Sequence, residues 1–599
     1  MLISYLSLLF PILIIIAIVL AVRARGNTPD KHEGFSVARH VWLYLLTAIS
    51  LGIFAGGAGQ LLTLVFDITI KHSYLVSIGT KPFNLENLAL GLALTLIGGP
   101  LWFLFWNSAR KRIMQNPREA DSGIRKLFLA LVLTVTALTF LASASGFFQW
   151  VLAGAKVKYF SSANLATIIV AGVIWFYHWH LSKREGFNTS GAKTLKRWYI
   201  YILSAFGLIW LVSGLILFFS SLCSSLPIWR DSFISLSIWN DAVISSLSQT
   251  IFGFIAWYFH WFRLAKDDIR STLRQVYFYP FAIAGGAILA LVSATVLFYN
   301  ILTFIFGAVS GTALEHFQFL GWVIPAIAAG LMVWIYHHHL SQEESRGFEE
   351  KHDSAQRVYL YLMNFLALGT TVAGIIFFSG LVIELIINAL SISLIPTPGW
   401  WQKQLAASLA LIAVGVPLLI FYWKNALKRS LDEKLLEWRA LSRRIFLYSV
   451  VGIAIIALAA SLVNVIYQLI NGALSSSTFV NILRESRWSL QTVLAASPVL
   501  WYFWQVLRSD LQLGAEDAFT TKDVILAAHD PEKRAAKMLE AALGYKIRTL
   551  QVEALAYAPI LAIDVPEIES LAEEIKQGKH ERFLVAEVHG ELHLLPYTE

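Results

Sequence analysis

Histidine is the residue type most able to do chemistry in this chain, and its densest run is His337, His338 and His339 within VWIYHHHLSQEE. A neutral imidazole can ligate a metal or haem iron, and one that titrates near neutrality can relay protons. Adjacent helical residues point about 100° apart, so three neighbours cannot close on one ion; that requires i, i+3 or i, i+4 spacing. A site would have to form between helices. Aligning the apolar segments on their terminal aromatic clusters sets His337 opposite His178 and His260, and opposite Phe105, Trp423 and Trp504 elsewhere. His178, His260 and His337 converging at one mouth would make a metal, haem or proton-relay site. A position that also accepts Phe and Trp asks only for a flat amphipathic ring at the membrane interface, which is the simpler requirement.

Other candidates are sparse. Glu384 in LVIELII is the clearest acid inside an apolar segment, and Asp67 and Asp241 lie near segment ends. Asn364, Asn464 and Gln468, with Gln60, Gln149 and Asn300, are amides that either bridge helices or line a cavity. Glycines in GIFAGGAGQLL (Gly52, Gly56, Gly57, Gly59) and AIAGGAILA (Gly285, Gly286) mark expected close helix contacts. No strand precedes them and no Lys-Ser/Thr follows, so they are not phosphate loops. Cys223 is the single cysteine, which excludes an intramolecular disulfide and any multi-cysteine metal site. No H-E-x-x-H, G-x-S-x-G or Cys–His pattern occurs, and the sequence implies neither an enzyme nor a cofactor.

The elements that carry these residues are membrane helices. Of 599 residues, 57% are hydrophobic and 14% charged, against roughly 25% charged in soluble domains. Residues 1–22 form an uncleaved apolar helix without a basic start, followed by Arg23 and Arg25. A basic–x–apolar–aromatic–apolar–Tyr motif then recurs as RHVWLY from Arg39, KRWYIY from Lys196, RQVYFY from Arg274 and RRIFLY from Arg443. RKLFLA from Arg125 and QRVYLY from Gln356 depart from it slightly. Each motif opens a first helix, and a second helix ends in an aromatic cluster such as WFYHWHLSKR from Trp175. The result is six tandem two-helix units at 36–115, 122–186, 193–268, 271–344, 354–430 and 438–512, hence thirteen spans.

Charge orients them. Loops joining one unit to the next, with residues 23–39, hold twenty-nine Lys and Arg; the loops inside units hold eight. The positive-inside rule puts the N-terminus outside and the C-terminus in the cytoplasm of a plasma-membrane protein. Residues 514–599 differ, with nine Lys/Arg against sixteen Asp/Glu. Asp530-Pro531 and Pro566 start two helices there, Gly544 and Gly578 stop them, and two strands flank a turn at His589-Gly590. This predicts a small cytoplasmic α+β domain.

The repeated RRVYLY-like start, a long apolar helix and a second helix ending in a Trp/Tyr/His cluster resemble the DUF5671 family across residues 36–512. The resemblance implies a bacterial multi-span membrane protein of unknown function and transfers no catalytic residue. The leading functional expectation is a non-enzymatic scaffold or sensor that couples the helix array to the tail. A transporter or channel with a cavity lined by Asn364, Asn464, Gln468 and Glu384 is the alternative, and a metal or haem protein using His178, His260 and His337 is a third. The expected partner is the bilayer, with anionic lipid at the basic loops. The positive-inside rule accounts for those loops without nucleic acid, and no protein partner is indicated.

Overall fold

A computed structural model describes residues 31–71, 83–226, 238–269, 271–309, 311–345, 349–390, 400–432, 440–520, 522–527, 534–543, 545–550, 565–577, 580, 582–588 and 591–597. The expected N-terminal helix 1–22, the Asp530-Pro531 start, the Gly544 and Gly578 stops and the His589-Gly590 turn lie outside these residues.

Eleven helices among the described residues are long and apolar enough to cross a membrane. They lie within α1 Lys31–Thr69, α2 Phe83–Gln115, α3 Gly123–Leu152, α4 Ser162–Glu185, α5 Ser190–Ser224 and α6 Asp241–Leu264, continuing through α7 Thr272–Ile305, α8 Ala313–Glu344, α9 Glu349–Leu390, α10 Trp400–Asp432 and α11 Leu441–Leu474. The helix α12, Phe479–Thr520, stands where a twelfth span was expected but is not among the eleven. Charges at Arg484, Glu485 and Arg487, then Gln491, Trp501, Trp504 and Gln505, dilute its apolar run. Many exposed side chains on these helices are apolar, among them Leu96, Phe103, Ile209 and Ile335, as lipid-facing positions must be. By length and composition these helices suit a multi-pass membrane protein.

Short polar side chains set where helices begin. The Ser122 hydroxyl accepts from the Arg125 backbone N–H and Ser271 from that of Arg274, at 3.3 and 3.1 Å. Each cap leaves an arginine in the first turn. Helix α1 packs on α2, α3 on α4, α5 on α6 and α7 on α8, and α4 also meets α1 as α8 meets α5. Two stretches widen into π-helix, Tyr258–Leu264 at the end of α6 and Tyr277–Ile283 around Pro280 in α7, and proline's missing N–H suits such a bulge.

Small residues let partner backbones touch. A Cβ on Gly286 would sit 2.8 Å from the Gly330 carbonyl, so α7 and α8 cross at these two residues. In α1 the close approach is at Gly57, against Thr95 of α2. Gly52, Gly56, Gly59 and Gly285, expected at close contacts, have open space beside them. Spacing along the sequence does not report which side of a helix meets its neighbour.

The chain divides into two compact units, Met1–Lys424 with Gly472–Arg487, and Asn425–Asn471 with Trp488–Glu599. The second contains the tail. Strands β1 Asp523–Ala527, β2 Arg548–Leu550, β3 Arg582–Val588 and β4 Glu591–Pro596 form one sheet in the order β2-β1-β3-β4. Strand β1 runs parallel to β2 and β3, while β3 and β4 are antiparallel. Helices α13 Arg534–Leu543 and α14 Val565–Gln577 bury Ala535, Leu539, Ile568 and Ile575 against Val524, Phe583 and Val585. Strands β1 and β2, short and flanked by charge, were not legible beforehand.

Candidate functional site

The first-turn arginines close on acids of the next helix, Glu185 and Glu344 at its end and Asp510 within it. Arg125 Nε donates to Glu185 at 2.9 Å, its Nη2 binds the same carboxylate, and its Nη1 donates to the Tyr44 hydroxyl at 3.1 Å. The Lys126 ammonium reaches Glu185 at 3.3 Å. In the same way Arg274 Nε donates to Glu344 at 2.7 Å, and Arg443 Nε to Asp510 at 2.6 Å. All three arginines and Lys126 are buried. These residues read as loop charges in the sequence, yet each arginine is one half of a bidentate latch.

Rings fill the space beneath each latch. The guanidinium of Arg125 lies 5.2 Å from the Trp106 ring centre and that of Arg274 lies 4.6 Å from Trp261. Three residues after the arginine stand Phe128, Tyr277 and Phe446, and seven residues before the acid stand His178, His337 and Phe503. These meet as ring pairs: Phe128–His178 at 5.9 Å, Tyr277–His337 at 5.7 Å and Phe446–Phe503 at 5.7 Å. Indole N–H groups tie the cages together, from Trp106 to the Tyr177 hydroxyl at 2.7 Å and from Trp261 to Tyr336 at 3.1 Å. The counterpart of His178 and His337 in the last set is thus the buried Phe503, not Trp504, which is exposed. Latch geometry decides this register, because aromatic clusters of similar composition align equally well one residue apart.

The histidines are buried inside the protein, His178 at 1% and His337 at 0% exposure. Each Nδ1 donates to the carbonyl four residues back, Ile174 for His178 and Val333 for His337, both at 2.8 Å. A carbonyl can only accept, so the proton sits on Nδ1 and the lone pair on Nε2. For His178 and His337 that Nε2 is buried without a hydrogen-bond partner among the described residues. His260 keeps the same backbone bond, to Ala256, but its Nε2 accepts from the Tyr199 hydroxyl at 3.2 Å. Tyr199 in turn accepts from the Trp175 indole at 3.3 Å.

The three histidines have separate ring neighbours: Trp106, Phe128 and Tyr177 around His178, Tyr199 and Phe259 around His260, and Trp257, Trp261 and Tyr277 among those around His337. No group of three or more His, Cys, Asp or Glu among the described residues is placed to hold a metal ion. His338 and His339 turn away from His337, with Gln342 3.0 Å from His338 and Glu343 3.6 Å from His339. Glu384 pairs with Arg487 at 3.0 Å, and Asn464 accepts from the Ser489 hydroxyl at 3.0 Å. Buried Asn364 donates to Leu360 of its own helix, and Gln468 is half-buried. Interhelical amide bonds do occur, as from Gln60 to Asn87 at 2.7 Å.

A model of the DUF5671 family, a domain of unknown function, matches residues 9–157, 197–328 and 357–502. Each segment contains one latch arginine: Arg125, Arg274 and Arg443 in turn. No curated protein and no solved structure matches the chain.

Proposed function

The chain belongs to the DUF5671 family, and from that premise we propose a non-enzymatic membrane scaffold or sensor whose helix array is coupled to its C-terminal domain. In this reading six two-helix units follow an N-terminal helix, thirteen spans in all, with the N-terminus outside and the tail in the cytoplasm. The excess of Lys and Arg in the loops between units supports that orientation.

One observation carries the coupling. The third latch, Arg443–Asp510, grips helix α12, which runs to Thr520, and the first tail strand opens at Asp523. Whatever loosens this latch acts on the helix that leads directly into the sheet. Buried charge elsewhere is likewise engaged in holding helix ends together, with Arg125 and Lys126 on Glu185 and Arg274 on Glu344.

Hydrogen exchange on the full-length protein in detergent tests the proposal. Arg443→Gln is expected to speed exchange in β1 and β3 as well as at the inner ends of α11 and α12. If the helix ends loosen while the tail exchanges as in wild type, the coupling reading is overturned.

A further inference from the structure

The inner halves of α2 and α4 border a groove of about 470 Å³. One face of α4 lines it with Val173, Phe176, Tyr177, His180, Leu181 and Arg184, and α2 adds Arg110. Their spacing of three and four residues makes a single stripe, apolar over its first turns and basic at its last. At 1.5 Å per residue it runs about 16 Å along the helix axis. Arg110 and Arg184 are exposed and make no ion pair among the described residues. The neighbouring acid Glu185 does not neutralise them, because Arg125 and Lys126 hold it. At the groove wall the Tyr177 hydroxyl accepts from Trp106, which leaves its own proton to donate.

The same place beside the second latch has the opposite character. Glu343 stands one residue before the latch acid Glu344, where Arg184 stands one before Glu185. It lies 3.6 Å from His339, the counterpart of His180. Ala265, four residues after Trp261, replaces Arg110, four after Trp106. The basic end therefore belongs to the first groove alone of these two.

We propose that this groove binds one anionic glycerophospholipid of the inner leaflet. Arg110 and Arg184 hold its phosphate, and Val173, Phe176 and Leu181 receive the start of an acyl chain. Two guanidinium groups at the end of an apolar stripe match a charged head on an apolar tail, and basic pockets between spans on the cytoplasmic side suit such head groups. The proposal rests on the membrane orientation given above and not on the coupling of array to tail, which the exchange experiment tests separately.

The test is native mass spectrometry of the full-length protein in detergent, titrated with phosphatidylglycerol or phosphatidylcholine. The double variant R110Q/R184Q is expected to weaken retention of one phosphatidylglycerol, by about fivefold for each arginine, and to leave phosphatidylcholine unchanged. E343Q is expected to leave both unchanged. Both arginines are exposed, so thermal unfolding should match wild type; R184Q alone, which leaves α2 untouched, repeats the test at one charge. Wild-type retention of phosphatidylglycerol by the double variant would overturn the proposal. So would equal loss of both lipids, or displacement of phosphatidylglycerol by inorganic phosphate at comparable concentration, which would indicate a soluble-anion site.

Discussion

Arg274 lies over Trp261, its guanidinium carbon 4.6 Å from the ring centre, while the same group grips Glu344 through Nε at 2.7 Å. Arg125 holds Trp106 and Glu185 in the same fashion. A planar cation can stack on a ring and still donate in its own plane, which an ammonium cannot do. That dual use lets a charged residue stand buried at the start of a membrane helix.

Breaking one latch should be costly and breaking both sides should be less so. Glu344→Gln leaves a buried guanidinium without its carboxylate and is expected to lower unfolding free energy by roughly 3–5 kcal/mol. R274L/E344L removes both charges and should cost less than either single change. Denaturant titration in detergent compares E344Q, R274L and the double variant. A double variant no better than the worse single would mean that the arginine acts through its ring contact alone.

The caged histidines should tolerate phenylalanine. His178→Phe and His337→Phe each remove a buried acceptor without a partner, a penalty of about 1–3 kcal/mol, and Phe503 already fills the corresponding place. Each is expected to raise stability by about 1 kcal/mol. His260→Phe should lower it by a similar amount, because the Tyr199 hydroxyl loses its acceptor. Metal analysis accompanies the series: metal bound to wild type and absent from His178→Phe or His337→Phe would refute the cage reading.

Helix crossing should respond to single methyl groups at chosen glycines. Gly286→Ala meets the Gly330 carbonyl and is expected to destabilise by about 1–3 kcal/mol. Gly52→Ala and Gly56→Ala enter open space and should be neutral or slightly stabilising, since alanine is the better helix former. Thermal melts in one detergent rank the three.

The tail should weaken in acid. Partial burial pushes the Asp523 carboxyl upward, but bonds from Arg548 and Tyr597 outweigh it and hold the group below its ordinary value. A depressed carboxyl contributes stability that is present above its unfolded pKa, near 3.9, and is lost as pH falls through the lower folded value. Because the Asp523 side chain is 35% exposed and its partner Arg548 is 66% exposed, solvent screening keeps the effect small, under about 1 kcal/mol. Exchange protection of β1 and β3 in the full chain should therefore decline below about pH 4, and Asp523→Asn should flatten that decline.

How much could be read beforehand follows from what each signal measures. Hydropathy and charge belong to chain segments, so the succession of long apolar helices and the acidic α+β tail were legible from composition and local pattern alone. The latches left a fainter trace, visible once known: Ser122-x-x-Arg125 and Ser271-x-x-Arg274 at helix starts, and an acid seven residues beyond His178 and His337. Which faces meet was not legible. In water a buried face differs from a wet one, and the pattern of apolar residues shows the difference; in a bilayer both sides of a helix are apolar and the pattern falls silent. The sequence by itself therefore determined the kind of molecule and where its clusters lie along each helix. Only the tertiary structure decided that Gly57 packs and Gly56 does not, that Phe503 rather than Trp504 takes the histidine's place, and that His178 and His337 are enclosed in rings.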